Sequence, residues 1–305
     1  YEICACLVGS EMCIRDSLAV YSLRACAGEY RDAVELAEYT INNQKDYILE
    51  ELYKRKPDVL CFSCYIWNID YVTDIAREYK KLCPSVPIWV GGPEVSYEVE
   101  AFLRENPYID GVMIGEGEDT FRELCGYYAH KRKLSDIAGI AFRKHSTGNS
   151  TSVNNIGGNK VGEIVFTSPR PIKNMSEIPF CYDTLDDFSN RIIYYESSRG
   201  CPFSCSYCLS SVDKTLRFRD TEIVKRELKF FIDQKVPQIK FVDRTFNCNH
   251  AHAMELWRFI KANDNGVTNF HFEISADLLN QEELELISDM RPGLIPVSYT
   301  HLTLP

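Results

Sequence analysis

Two apolar periods alternate along the chain between residues 18 and 130. Leu18–Ala27, Tyr47–Arg55, Tyr71–Leu82, Val95–Arg104 and Asp119–His130 carry the spacing of amphipathic helices. Between them lie short apolar runs, Val34–Ile41, Asp58–Tyr65 (DVLCFSCY), Pro87–Val90 and Ile109–Ile114. A strand covered on both faces reads as a continuous apolar run, because neither side meets water. The alternation therefore predicts an α/β fold for 18–130, a Rossmann-like doubly wound parallel sheet with ligand groups at the carboxyl ends of its strands. No strand is assigned ahead of the first helix, because the N-terminal residues in its place read as foreign to the chain, so the first strand of this sheet is expected to be missing.

The pattern changes at 131–188. Ile140–Arg143 and Glu163–Phe166 are expected to pair as a hairpin around the Gly/Ser/Asn-rich stretch 146–160, and Pro169–Pro179 reads as an extended linker. From 189 to 294 the strand–helix rhythm returns. Strands at Arg191–Glu196, Gln238–Val242 and Asn269–Ser275 are followed by helices at Thr221–Gln234, His250–Ala262 and Gln281–Met290, which makes three βα units. The two ends lack this rhythm. Residues 6–17 (CLVGSEMCIRDS) and 296–305 (PVSYTHLTLP) resemble translated adapter read-through, so 1–17 and 295–305 are expected to be non-native tails on a fragment truncated at both ends.

One run carries distinctive chemistry: Cys201-Pro202-Phe203-Ser204-Cys205-Ser206-Tyr207-Cys208, placed after a strand and the turn signal Arg199-Gly200. Three thiolates at this spacing can ligate three irons of a 4Fe–4S cluster and leave the fourth open. Zinc is the alternative, with Cys248, His250 or His252 as a fourth ligand. The C-x3-C-x2-C motif resembles the radical S-adenosylmethionine (SAM) family. That resemblance implies that Cys201, Cys205 and Cys208 hold the cluster, that the open iron chelates SAM, and that Tyr207 lies beside the adenine. It also implies a (β/α) barrel, of which three units are the N-terminal half, and reductive cleavage of SAM to a 5′-deoxyadenosyl radical. The end of the second barrel strand would meet the amino group of SAM, which makes Asp243 a candidate; capping of the following loop is the plainer role for it. Alternation along Phe270–Asp277 puts His271, Glu273 and Ser275 on one face, and Glu273 is a candidate SAM contact if that face is the barrel interior.

Residues 18–130 resemble the cobalamin (vitamin B12)-binding domain that precedes the barrel in many radical SAM enzymes. The resemblance rests on the fold rhythm and on three loops, Ser63–Asn68, Gly91–Ser96 and Gly115–Glu118. Gly91, Gly92, Gly115 and Gly117 would let backbone approach a large flat ligand. Tyr65 and Trp67 could stack on it or belong to the core. There is no D-x-H-x-x-G to supply an axial histidine.

Composition narrows the partners. With 34 basic and 44 acidic residues the chain carries −10, which argues against a broad nucleic-acid footprint. No apolar stretch is long enough to span a membrane. Thirteen cysteines, scattered rather than framed as disulfides, suit a reducing cytoplasm. The expected function is that of a cobalamin-dependent radical SAM enzyme, oxygen-sensitive, performing methyl transfer, cyclisation or rearrangement. Its substrate would be a small molecule or cofactor precursor, and its electrons would come from a donor such as flavodoxin or ferredoxin. The alternative is a non-catalytic binding or sensor protein stabilised by a metal or cluster.

Overall fold

The computed structural model describes residues 3–9, 18–144, 155–156, 159–160, 162–185, 188, 191–206, 208, 212, 215–295 and 297–301. The chain divides into two compact units, Tyr1–Lys173 and Asn174–Pro305.

The first unit runs β1 (Ile3–Gly9), α1 (Leu18–Cys26), β2 (Val34–Thr40), α2 (Lys45–Arg55), β3 (Val59–Ser63), α3 (Ile69–Leu82), β4 (Ile88–Gly91), α4 (Val99–Glu105), β5 (Gly111–Met113), α5 (Glu118–Tyr128), β6 (Ile140–Lys144), β7 (Asn155–Ile156), β8 (Asn159–Lys160) and β9 (Glu163–Phe166). Seven of these strands form one sheet in the order β2-β1-β3-β4-β5-β6-β9. The first five are parallel, and β6 and β9 continue the sheet antiparallel. The expected hairpin forms, and it extends the sheet rather than standing apart in a linker.

The expectation that the first strand is missing does not hold. Ile3–Gly9 lies between β2 and β3, in register with both. The segment is a continuous apolar run, and a strand between two parallel neighbours needs no alternation to be stable there. Val297–His301 likewise pairs as a strand in the second unit.

Both faces of the sheet are covered. Leu60, Phe62, Ile88 and Val90 pack with Ile48, Leu52, Val72, Ile75, Tyr79 and Leu103 of α2, α3 and α4. Val59, Cys61 and Trp89 point the other way, onto Phe121, Leu124 and Cys125 of α5. Trp89 fits because Gly111 lies beneath it: a Cβ there would meet the indole ring at 2.4 Å. The order 2-1-3-4-5 reverses direction between β1 and β3, the place where such sheets open a ligand crevice at their carboxyl ends.

The second unit contains β10 (Ile193–Tyr195), β11 (Ser198–Arg199), β12 (Arg217–Phe218), α6 (Thr221–Asp233), β13 (Gln238–Phe241), α7 (His250–Ala262), β14 (Asn269–Ser275), α8 (Gln281–Ser288) and β15 (Val297–His301). Its main sheet is parallel, ordered β10-β13-β14-β15. Tyr195, Phe241, Phe270 and Phe272 are buried. Phe272 packs at a tilt against Phe241 and Phe246, with centroids 4.5 and 4.3 Å away, and meets Trp257 of α7 edge-on. Each helix starts on a side-chain cap: Asp220 for α6, Asn249 for α7, and an Asn280–Glu283 capping box for α8.

A buried charge pair braces this core. Arg219 lies 3.0 Å from Glu227, and Tyr195 donates its hydroxyl to the other Glu227 oxygen at 2.6 Å. Burial raises the Glu227 carboxyl above its ordinary range, and Arg219 and Tyr195 oppose that shift. Among the described residues, no helix is long and apolar enough to cross a membrane.

Candidate functional site

The cysteine run follows β10, at the carboxyl end of the sheet's first strand, where barrel folds carry their functional groups. The loop is tied at its base. Ser198 and Arg199 pair antiparallel with Phe218 and Arg217, and the Arg219 amide donates to the Ser197 carbonyl at 2.9 Å. Gly200 has φ +91°, and a Cβ there would meet the Thr215 carbonyl oxygen at 2.5 Å, so the turn into Cys201 requires glycine.

Cys201 is buried, and its sulfur lies 3.9 Å from Thr245 Oγ1. Cys205 and Cys208 are half-buried and are linked by a Cys208 amide bond to the Cys205 carbonyl at 3.1 Å. The structure brings the three cysteines onto one loop but does not gather them, since no three His, Cys, Asp or Glu side chains converge on a metal site among the described residues. The donor set nonetheless fits a cluster: three soft thiols, none in a disulfide, on one loop pinned at both ends. Zinc gains no support from the neighbouring histidines. His250 Nδ1 lies 2.8 Å from Glu283, and His252 Nε2 lies 3.1 Å from Ser197 Oγ.

Asp243, just beyond β13, is enclosed in the fold. It is 1% exposed, and its carboxylate accepts from the Ser197 amide at 2.8 Å, Ser197 Oγ at 2.5 Å and Ser198 Oγ at 2.8 Å. Its carboxylate is turned into the fold onto the base of the cysteine loop, and Asn249 caps the helix that follows. The reason is parity: Ile239, Phe241 and Asp243 alternate onto the same buried side. Burial raises the Asp243 carboxyl above its ordinary value, and the serine donors pull it back. His252 is held neutral by the same burial, with a pKa lowered to about 4.

Glu273 lies on the opposite face of β14 from Phe270 and Phe272, half-buried with His271. It sits 3.5 Å from Lys240 of the adjacent strand. Since the phenylalanine face is the one packed on α7, the Glu273 face is the one an enclosing barrel would turn inward. Tyr207 lies outside the described residues.

In the first unit, the three loops, two of them glycine-bearing, follow the carboxyl ends of β3, β4 and β5. Cys64, fully buried, donates its amide to Gly91 at 2.7 Å and accepts from the Glu94 amide at 3.4 Å. Gly92, at φ +113°, packs so closely that a Cβ would meet the Cys64 carbonyl oxygen at 2.5 Å. Ser96 Oγ bridges the second and third loops, donating to Gly92 O at 2.7 Å and accepting from the Gly115 amide at 3.2 Å. Gly115, at φ +76°, faces open space, whereas Gly117 packs on Leu23. Above this frame, Tyr65 and Trp67 stack at 4.6 Å with rings 6° from parallel, and Ile66, Trp67 and Tyr97 are exposed. A backbone-lined floor with exposed aromatic and aliphatic side chains suits a broad, flat, largely apolar ligand.

The residues that sequence reasoning missed are Ser197 and Ser198; His252 entered it only as an alternative zinc ligand, not as a partner of Ser197. The Ser-Ser pair directly before Arg199-Gly200-Cys201 was a visible signal, but its partner 46 residues away was not.

Comparison with known proteins agrees with both halves. A model of the B12 binding domain matches residues 16–125, and a model of the radical SAM superfamily matches residues 195–303. An uncharacterised methyltransferase of Pyrococcus horikoshii is 31% identical over 218 residues, covering 68% of this chain and 44% of that protein. The cobalamin-dependent radical SAM methyltransferase TokK of Streptomyces tokunonensis is 29% identical over 251 residues, covering 75% of this chain and 33% of TokK. The chain thus spans less than half the length of these relatives. The cobalamin-dependent SAM radical enzyme OxsB, solved with aqua-cobalamin and SAM bound, matches with a TM-score of 0.70 and 17% identity over 94% of this chain and 41% of OxsB, a likeness of fold. The matched domains carry the cofactors cobalamin, a 4Fe–4S cluster and SAM. With a B12-binding domain ahead of a radical SAM domain, on the sheets and loops described above, the chain belongs to the radical SAM enzymes that have an N-terminal cobalamin-binding domain.

Proposed function

We propose that this chain forms the cofactor-binding part of a cobalamin-dependent radical SAM methyltransferase that acts on a small molecule or cofactor precursor. The observation that carries the reading is the three-thiol loop, anchored at the carboxyl end of β10 behind a domain whose glycine loops form a flat seat. When bound, the cluster supplies the electron that splits a carbon–sulfur bond of SAM, and cobalamin supplies a carrier for the methyl group.

The protein's own part is to position these groups and keep water away. Cys201, Cys205 and Cys208 would hold three irons of the cluster and leave the fourth for SAM. By resemblance to the family, Tyr207 would contribute an aromatic contact to the adenine. Glu273, beside Lys240, would offer a carboxylate to the cationic end of SAM. Gly91, Gly92, Gly115 and Gly117 would form the seat for cobalamin, bordered by Tyr65 and Trp67. Methyl transfer is favoured over cyclisation or rearrangement because both relatives compared above are named as methyltransferases. The described cysteines are free thiols, which supports work in a reducing cytoplasm, with a flavodoxin- or ferredoxin-type donor.

The test is anaerobic. The chain is loaded with iron, sulfide and aquacobalamin, then given SAM and a strong reductant. Formation of 5′-deoxyadenosine or S-adenosylhomocysteine above the level of a Cys201→Ala variant is expected. A cluster-loaded, cobalamin-loaded chain that binds SAM without consuming it would favour a non-catalytic sensor.

A further inference from the structure

We propose that Asp243 is a positioning residue for the cluster loop, holding the strand end that launches it instead of touching SAM. The inference rests on the reading of Cys201, Cys205 and Cys208 as cluster ligands.

Four observations converge on it. First, Asp243 is fully inside the fold and uses both carboxylate oxygens on three donors, all from Ser197 and Ser198. Second, these serines are the loop's foundation on both sides. Ser198 pairs with Phe218 on the returning strand, and the Ser197 carbonyl accepts the Arg219 amide. Whatever fixes Ser197 and Ser198 therefore fixes the entry and the exit of the segment 200–216. Third, the bonds extend inward. His252, neutral and buried, lies 3.1 Å from Ser197 Oγ, so that Nε2–H donates to the serine oxygen while the serine hydroxyl donates to Asp243. Fourth, Thr245, two residues beyond Asp243, touches the Cys201 sulfur at 3.9 Å. The end of β13 thus grips both the base of the loop and its first cysteine.

Losing the carboxylate would leave one buried amide and two buried hydroxyls without their acceptor. A buried donor without a partner is costly, and the cheapest relief is to let water in by opening the loop base. The first cysteine is the one most shielded by that base, so its exposure reports the opening.

The experiment compares the parent chain with Asp243→Ala, Asp243→Asn and Ile260→Ala. The last removes apolar volume from α7 without touching the loop, so it controls for general destabilisation. The metal-free proteins are pulsed with iodoacetamide under reducing, anaerobic conditions, and modification of each cysteine is read by mass spectrometry, with Cys125 of the first unit as internal reference. Asp243→Ala is expected to speed modification of Cys201 about tenfold, the change that ~1.4 kcal/mol makes in an opening equilibrium. Asp243→Asn, which keeps the shape and one acceptor, should fall between it and the parent, and Ile260→Ala should leave Cys201 at the parental rate.

In parallel, the chains are reconstituted with iron and sulfide and titrated with SAM. The Asp243 variants should hold less iron, while the fraction that is loaded binds SAM with parental affinity. Parental cysteine rates and full iron content, together with SAM affinity weakened tenfold or more, would overturn the proposal and return Asp243 to the substrate. Equal acceleration in Ile260→Ala would overturn it too, as a mere loss of stability. If Asp243→Ala does not fold, Asp243→Asn and Ser197→Ala carry the same readouts. A parent chain that takes up no cluster would defeat the functional reading above, while the cysteine rates would still decide the role of Asp243.

Discussion

Gly92 offers the sharpest test of the cobalamin seat. Its backbone, at φ +113° and ψ 174°, lies in a region essentially restricted to glycine. Replacement by alanine adds two penalties. Strained backbone of this kind costs about 1–3 kcal/mol. The new Cβ would also stand 2.5 Å from the Cys64 carbonyl oxygen and 3.0 Å from its nitrogen, and neither backbone atom can rotate away. Moving Cys64 loosens its 2.7 Å amide bond to Gly91, worth about 1 kcal/mol. Together, Gly92→Ala should cost roughly 2–4 kcal/mol. Gly115→Ala is the control: its φ is also positive, but its Cβ meets nothing within 4 Å, so only the conformational cost of about 1–2 kcal/mol applies. Urea unfolding of both variants, followed by circular dichroism, measures the difference. Absorbance titration with aquacobalamin then asks whether the shifted frame still seats the ligand, and Gly92→Ala should weaken binding at least tenfold more than Gly115→Ala, in line with ~1.4 kcal/mol of frame distortion. Equal stability losses, or parental cobalamin binding by Gly92→Ala, would refute the argument that the first two loops form one rigid floor.

Two further outcomes follow from the second unit. His252 titrates at about 4 in the fold and near 6.5 when unfolded, so as the pH falls through that window the unfolded chain binds a proton that the folded site refuses. Stability should therefore be lost between about pH 6.5 and 4, by up to about 3 kcal/mol, and denaturant melts at pH 7 and 5 should show that slope flattened in His252→Gln. Glu227→Ala leaves Arg219 buried without its carboxylate and should cost about 3–5 kcal/mol, much of it recovered when Arg219→Met is added, as read from denaturation midpoints.

Much of this architecture was legible in residue order. The run DVLCFSCY announced β3, because a strand buried on both faces has no polar side to interrupt it. Phe270, Phe272 and Ile274 announced one packed face of β14 and left Glu273 on the other. The cysteine spacing announced the loop, since its chemistry depends on residue type more than on fold. β1 was missed because its apolar run overlaps the stretch 6–17 that resembles adapter read-through and was set aside with it. β11 and β12 were hidden because a two-residue ladder has no local signal; it exists only through Gly200, Asp243 and the strand that returns. The enclosure of Asp243 was missed although its parity with Ile239 and Phe241 was available. A carboxylate at a strand end suggests an open site, and the serine donors that make its burial tolerable lie far away in sequence.

The central claim is that Cys201, Cys205 and Cys208 carry a cluster. The most direct measurement is anaerobic iron, sulfide and zinc content, with an absorption spectrum, for this chain beside Cys205→Ala. The account predicts about four irons and four sulfides per chain, lost in the variant. Stoichiometric zinc without sulfide, or a cluster retained in Cys205→Ala, would contradict it.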